Sequence, residues 1–166
     1  MPRTIKRAHM MNDASGDLTD DSFRANTMAP IGGVTYGING VRGKAVTLNG
    51  TNGFFCADNG GATCAADADD NMSTTAWNMQ MWFKHSTTQA GTDVLYSRCY
   101  NTTPAAAAAC VTVYMTSTGV MAAAYDDDAT WTAYSSYDVI LTSTRTYNDN
   151  QWHHMVLARD NANDLH

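Results

Sequence analysis

The chain has 166 residues, 16% of them charged, a formal net charge of −6 and no glutamate. That length suits a single domain over residues 1–166, which would bury about two-thirds of its surface on folding. The acidic balance, with no basic stripe, argues against nucleic-acid binding, and the longest apolar run falls far short of the roughly 20 residues of a membrane-spanning helix.

Good helix formers other than Ala are scarce, while Thr, Val and aromatic residues are common, which favours an all-β chain. The N-terminus, Met1 to Arg7, is basic but no apolar signal core follows it. A trimmed sequence, an excerpt, or a protein released by assembly or lysis would each account for that.

In chain order, Ala8 to Asn12 reads as a short first strand, and Asp13 to Gly33 as irregular because Gly16, Pro30, Gly32 and Gly33 break it. Val34 to Tyr36 is a brief strand, and Gly37 to Gly43 a turn. Lys44 to Leu48 alternates, and Asn49-Gly50 is a hairpin signal that returns the chain as a strand over Thr51 to Cys56. Ala57 to Met72 is an insertion loop. Ala76 to Lys84 alternates strongly. Trp77, Met79, Met81 and Phe83 make a core face, opposite Asn78, Gln80, Trp82 and Lys84, among which Trp82 is placed for exposed stacking.

Asp93 to Arg98 is the next strand, followed by an alanine-rich loop over Tyr100 to Ala109. Cys110 to Met115 and Val120 to Tyr125 form a hairpin about Thr116 to Gly119, and Trp131 to Tyr134 and Val139 to Thr142 are further strands. Asn148-Asp149-Asn150 is a polar turn, since Asn and Asp tolerate left-handed backbone. Beyond it Trp152, His154, Val156 and Ala158 alternate with His153, Met155, Leu157 and Arg159. Both sets are largely apolar, so this stretch reads as an inner strand of a two-layer structure. About a dozen short strands indicate a sandwich or jelly roll.

Four cysteines permit three disulfide connectivities. The local pairing, Cys56 with Cys64 and Cys99 with Cys110, is favoured because each pair flanks a loop rich in Gly, Asn, Pro or Ala. Closing such loops stabilises by roughly 2–3 kcal/mol each in the chain-entropy model, and implies an oxidising setting. Four reduced, packed cysteines are the alternative. Neither pair has zinc-ligand spacing.

Four segments, in order, carry a resemblance: His9 to Gly16, Gly40 to Asn52, Trp77 to Lys84, and Trp152 to Asp160 with its Trp-His-His start. Together they resemble the signature strands of the laminin G-like members of the concanavalin A-like lectin/glucanase superfamily. The resemblance implies a two-sheet concanavalin A-like jelly-roll sandwich. It also implies closing C-terminal strands beside the first strand, which this sequence lacks. An excerpt, or a neighbour that completes the sheet in an assembly, would resolve that.

Glucanases of the superfamily use paired glutamates on one strand, and retaining hydrolysis needs two carboxyls about 5–5.5 Å apart. With no Glu and no strand bearing alternate Asp, the chain reads as non-catalytic. His153 and His154 face opposite ways on a strand and cannot share a metal, so both are expected as partly buried and satisfied by backbone. Calcium fits better. Asp67, Asp69 and Asn71, or Asp126 and Asp128, offer hard oxygen ligands, against the plainer reading of solvated acidic loops. Tyr125, Asp127, Trp131, Tyr134 and Tyr137 form the candidate glycan-binding cluster, with core or rim packing as its rival. Asn49, Asn71 and Asn101 begin N-glycosylation sequons of the kind chance supplies in a chain rich in Asn and Thr.

The expectation is therefore a non-catalytic module for surface recognition, adhesion or decoration, directed at a glycan or glycoprotein and working among other protein subunits. No nucleic-acid partner and no membrane insertion are expected. Its place is extracellular or on a virion surface. The rivals are a structural subunit of a capsid or extracellular filament, and a binding module cut from a secreted glycan-degrading enzyme.

Overall fold

A computed structural model describes residues 8–22, 27–57, 76–87, 91–99, 110–126, 139–160 and 164–166. At positions 54, 56, 57, 98, 99, 110 and 126 the description is of the backbone alone. In chain order the strands are β1 (Met28–Ile31), β2 (Val34–Asn39), β3 (Lys44–Leu48), β4 (Phe54–Ala57), β5 (Trp77–Lys84), β6 (Asp93–Cys99), β7 (Cys110–Met115), β8 (Val120–Asp126), β9 (Val139–Thr146) and β10 (Trp152–Arg159). Every pairing is antiparallel and no helix occurs among the described residues, so the fold is all-β. The chain divides into two compact units, Met1–Asp70 and Asn71–His166.

In the first unit β1 pairs with β4 and β2 with β3, each as a two-stranded sheet. Polar side chains bonded to backbone do much of the holding. Asp20 is buried, and its carboxylate accepts the Ala8 and Ser22 amides at 3.0 and 2.9 Å and the Ser22 hydroxyl at 2.8 Å. Asn12 Oδ1 accepts the Lys44 amide at 3.0 Å, and Asp13 accepts both the amide and the hydroxyl of Thr19. The Tyr36 hydroxyl donates to the Gly16 carbonyl, and its ring meets Phe55 edge-on. Leu18 is fully buried and bridges to Met28.

Four expectations change here. Ala8 to Asn12 is not a strand, because carboxylates of Asp20 and Asp21 take the Ala8 and Met10 amides that a ladder would use. β1 forms inside a stretch expected to be irregular. Its Pro30 is tolerated because, among the described residues, the isolated Leu18–Met28 bridge touches only the first residue of β1, and at Pro30 β4 is the one strand neighbour. β2 runs on past Tyr36, absorbing Gly37 (φ +76°) where the register with β3 shifts. Asn49-Gly50 does not close a hairpin either. Asn49 Oδ1 accepts the amides of Thr51, Asn52 and Gly53 at 3.1, 3.0 and 2.8 Å, building a wider loop that carries the chain from one sheet to the other.

The second unit holds the meander β6-β7-β8-β9 and the separate ladder β10-β5. Phe83 of β5 and Leu157 of β10 share one core with Val111, Val113, Met115, Met121, Ala123 and Tyr125 of β7 and β8, and Trp77, Met79 and Met155 pack against it. This is sandwich-like: the inward faces of two sheets meet in a common apolar layer. Fully burying a Val or Met side chain stabilises by about 1.5–3 kcal/mol. β8 is unusual in that Ala122, Ala123, Ala124 and Tyr125 are all buried, so it shows no alternation.

At the β7–β8 turn, Gly119 (φ +82°) lies against Asn148, whose Oδ1 would sit 2.0 Å from an added Cβ. The Gly119 carbonyl accepts the Tyr147 amide at 2.8 Å, which ties this turn to the start of the turn before β10. As expected, that second turn uses left-handed backbone, at Asn150 (φ 61°).

Candidate functional site

β5 and β10 pair in full register: Trp152 opposite Lys84, His154 opposite Trp82, Val156 opposite Gln80 and Ala158 opposite Asn78. Period two sends these eight side chains to one face and the apolar set to the other. β10 was expected to be buried on both faces. Instead only His153, Met155, Leu157 and Arg159 turn towards the core side, while Val156 is 56% exposed on the other face.

On that open face Trp82 is 54% exposed, and its ring lies 4.8 Å from the His154 ring at an interplanar angle of 33°. The two rings meet in a tilted face-to-face contact, within the centroid range of favourable aromatic pairs. Asn78, Gln80 and Lys84 are exposed along the same face of β5. The eight positions include no carboxylate, in a chain with 16 acidic residues. The result is an indole presented to solvent with amide donors and acceptors beside it. It suits a ligand with one flat apolar face and a rim of hydroxyls.

Elsewhere in the unit two histidines lie against carboxylates. His153 Nε2 lies 2.8 Å from Asp149 Oδ1, and its ring packs against Phe83 and Tyr147. His85 Nε2 lies 2.8 Å from Asp93 Oδ2, and its Nδ1 lies 2.9 Å from the Ser86 carbonyl. His153 was expected to be satisfied by backbone; the carboxylate two residues into the preceding turn reaches it first. The hydrogen bond with His153, reinforced by the Gln151 amide, holds the Asp149 carboxyl below its ordinary range. In the first unit the Thr19 hydroxyl and amide do the same for Asp13, and desolvation with nearby Asp17 and Asp13 raises Tyr36.

Tyr125, the first member of the expected glycan cluster, is only 2% exposed and sits in the core with the Arg159 guanidinium carbon 4.7 Å from its ring centre. Tyr125 itself therefore offers no face to a surface ligand. The rest of that cluster, Asp127, Trp131, Tyr134 and Tyr137, lies outside the described residues, as do Asp67, Asp69, Asn71 and Asp128 of the expected calcium ligands. Asp126 ends β8 opposite Cys110. No group of three His, Cys or Asp suited to a metal occurs among the described residues.

Of the cysteines, Cys64 lies outside the described residues and Cys56 stands opposite Ala29. Cys99 and Cys110 are direct register partners across β6 and β7. The side chains of Cys56, Cys99 and Cys110 and the whole of Cys64 fall outside the description, so the expected pairings Cys56 with Cys64 and Cys99 with Cys110 lie outside the described residues.

Sequence reasoning singled out Trp82 but missed its partner His154. Trp82 was marked by the polar parity of β5, whereas His154 shares its parity with Trp152, Val156 and Ala158, which carried no such signal. Set against protein-family models, curated proteins and solved structures, the chain matches none.

Proposed function

We propose that the chain is a non-catalytic recognition module that binds glycans on the outer face of the β5–β10 ladder, outside the cell or on a virion surface. The observation that carries this reading is the exposed Trp82 indole, stacked on His154 and flanked by Asn78 and Gln80. A pyranose presents C–H groups on one face, which stack on an indole, and hydroxyls at its rim, which pair with amides. The resemblance of the four segments to laminin G-like strands supports the same reading, and would make the sheets those of a concanavalin A-like jelly roll. Calcium in the acidic loops over residues 67–71 and 126–128 is a separate part of the proposal.

The test is a glycan array probed with the wild-type chain and with Trp82→Ala, each with and without chelator. Binding that Trp82→Ala abolishes while the circular dichroism spectrum is unchanged supports the face as the site. Sensitivity to chelator bears on calcium alone.

A structural subunit without a ligand is the second reading. Ile140 on β9 is 52% exposed, and β6 and β9 each have one strand neighbour, so both edges of the meander are unpaired among the described residues. Such edges are templates for another chain. Failure to bind any sugar, with concentration-dependent association, would favour this reading.

A further inference from the structure

Three Asn-Gly pairs lie among the described residues: Asn39-Gly40, Asn49-Gly50 and Asn52-Gly53. Such a pair can cyclise when the glycine nitrogen attacks the asparagine carboxamide carbon. Two features govern the step. The nitrogen must be free to lose its proton, and negative charge growing on the carboxamide oxygen is favoured by donors already aimed at it.

The three pairs differ in both. The Gly40 amide donates to the Gly43 carbonyl at 3.1 Å, and the Gly53 amide donates to Asn49 Oδ1 at 2.8 Å, so both nitrogens are engaged. The Gly50 amide donates to no described residue. Gly50 has φ +71° and nothing within 4 Å of the place a Cβ would take, so water reaches it. Asn49 Oδ1 already accepts three backbone amides, at 3.1, 3.0 and 2.8 Å. Asn39 Oδ1 accepts from Lys44 Nζ at 3.3 Å, and Asn52 Oδ1 from Asn49 Nδ2 at 2.7 Å and the Gly33 amide at 3.3 Å.

We propose that Asn49 is a self-processing site, at which a free Gly50 nitrogen and a three-amide oxyanion pocket convert the carboxamide to aspartate or isoaspartate ahead of the other two pairs. Solvent hydroxide takes the Gly50 proton as the nitrogen bonds to Asn49 Cγ. The bond from Cγ to Nδ2 breaks, and Nδ2 takes a proton from water and leaves as ammonia. Water then opens the succinimide at either carbonyl. One water enters and one ammonia departs, with no change of oxidation state.

The same three amides receive the carboxylate of an aspartate product. What is lost is the donation from Asn49 Nδ2 to Asn52 Oδ1, leaving two oxygens facing each other beside the Gly33 amide. The loop that carries the chain between the β2–β3 and β1–β4 sheets loosens as a result, so the first unit ages at a defined point.

The full chain, folded and in parallel unfolded in urea, is held at mildly alkaline pH and mapped by tandem mass spectrometry over time. The expected result is conversion at Asn49 several-fold faster than at Asn39 or Asn52 in the folded chain, and faster there than at Asn49 in urea. Equal or faster conversion at Asn39 or Asn52 when folded, or a rate at Asn49 no higher folded than unfolded, overturns the proposal.

Discussion

The two units are held together by different physics. In the first, the described residues include one fully buried apolar side chain, Leu18, and the chain is fixed by Asp20, Asp13, Asn12 and Asn49 bonding to backbone. In the second, most of the buried residues are apolar and form one layer between two sheets. A polar scaffold of this kind depends on each acceptor meeting its donor, whereas an apolar layer depends on volume. Loss of a single atom is felt differently in the two.

The contrast can be broken first in the core. Met115 is fully buried, so Met115→Ala is expected to cost about 2–5 kcal/mol, read as a lower urea midpoint for the second unit. Next comes Asp20→Ala, which strands the Ala8 and Ser22 amides and is expected to cost about 1–3 kcal/mol. Hydrogen exchange should speed up at those amides while β7 and β8 stay protected. Equal effects in both units would end the contrast.

A smaller effect follows pH. Asp13 and Asp149 both have carboxyls lowered from 3.8, one in each unit. A lowered folded value means the stabilisation is present above the unfolded value and is lost as pH falls through the folded one. NMR titration should show both carboxyls ionised below the ordinary aspartate range. Thr19→Val should raise Asp13 alone, and His153→Ala should raise Asp149 alone. The smallest expected stability change is at Trp82, where replacement by Ala should stay within about 0.5 kcal/mol because the ring is half in solvent. Glycan binding should nonetheless vanish.

The sequence revealed strands where one face is wet and one dry. β5 reads correctly because Trp77, Met79 and Phe83 alternate with Asn78, Gln80 and Lys84, and the same parity put Trp82 on the open side. β8 hid its burial because alanines and a tyrosine fill both faces, so Tyr125 beside an acidic run looked like a rim residue when it is core. β1 was illegible because Pro30 and its flanking glycines are loop signals, overridden by pairing with β4. The Asn49-Gly50 turn was legible, but its destination was not, since the partner of a strand is a long-range choice that two turn residues do not encode.

The ladder of β5 and β10 has one more consequence. Its partners are separated by residues 85–151, a span that contains the whole β6-β7-β8-β9 meander, whose strands pair with their neighbours in sequence. Short-range pairings close small loops and are fast, whereas bringing Lys84 to Trp152 must await a far larger loop. On refolding, the meander should therefore nucleate first and the ladder zip last. The Trp82–His154 platform would then come into being only at the final step, and quenching of the indole by the imidazole would time the moment the molecule becomes competent to bind.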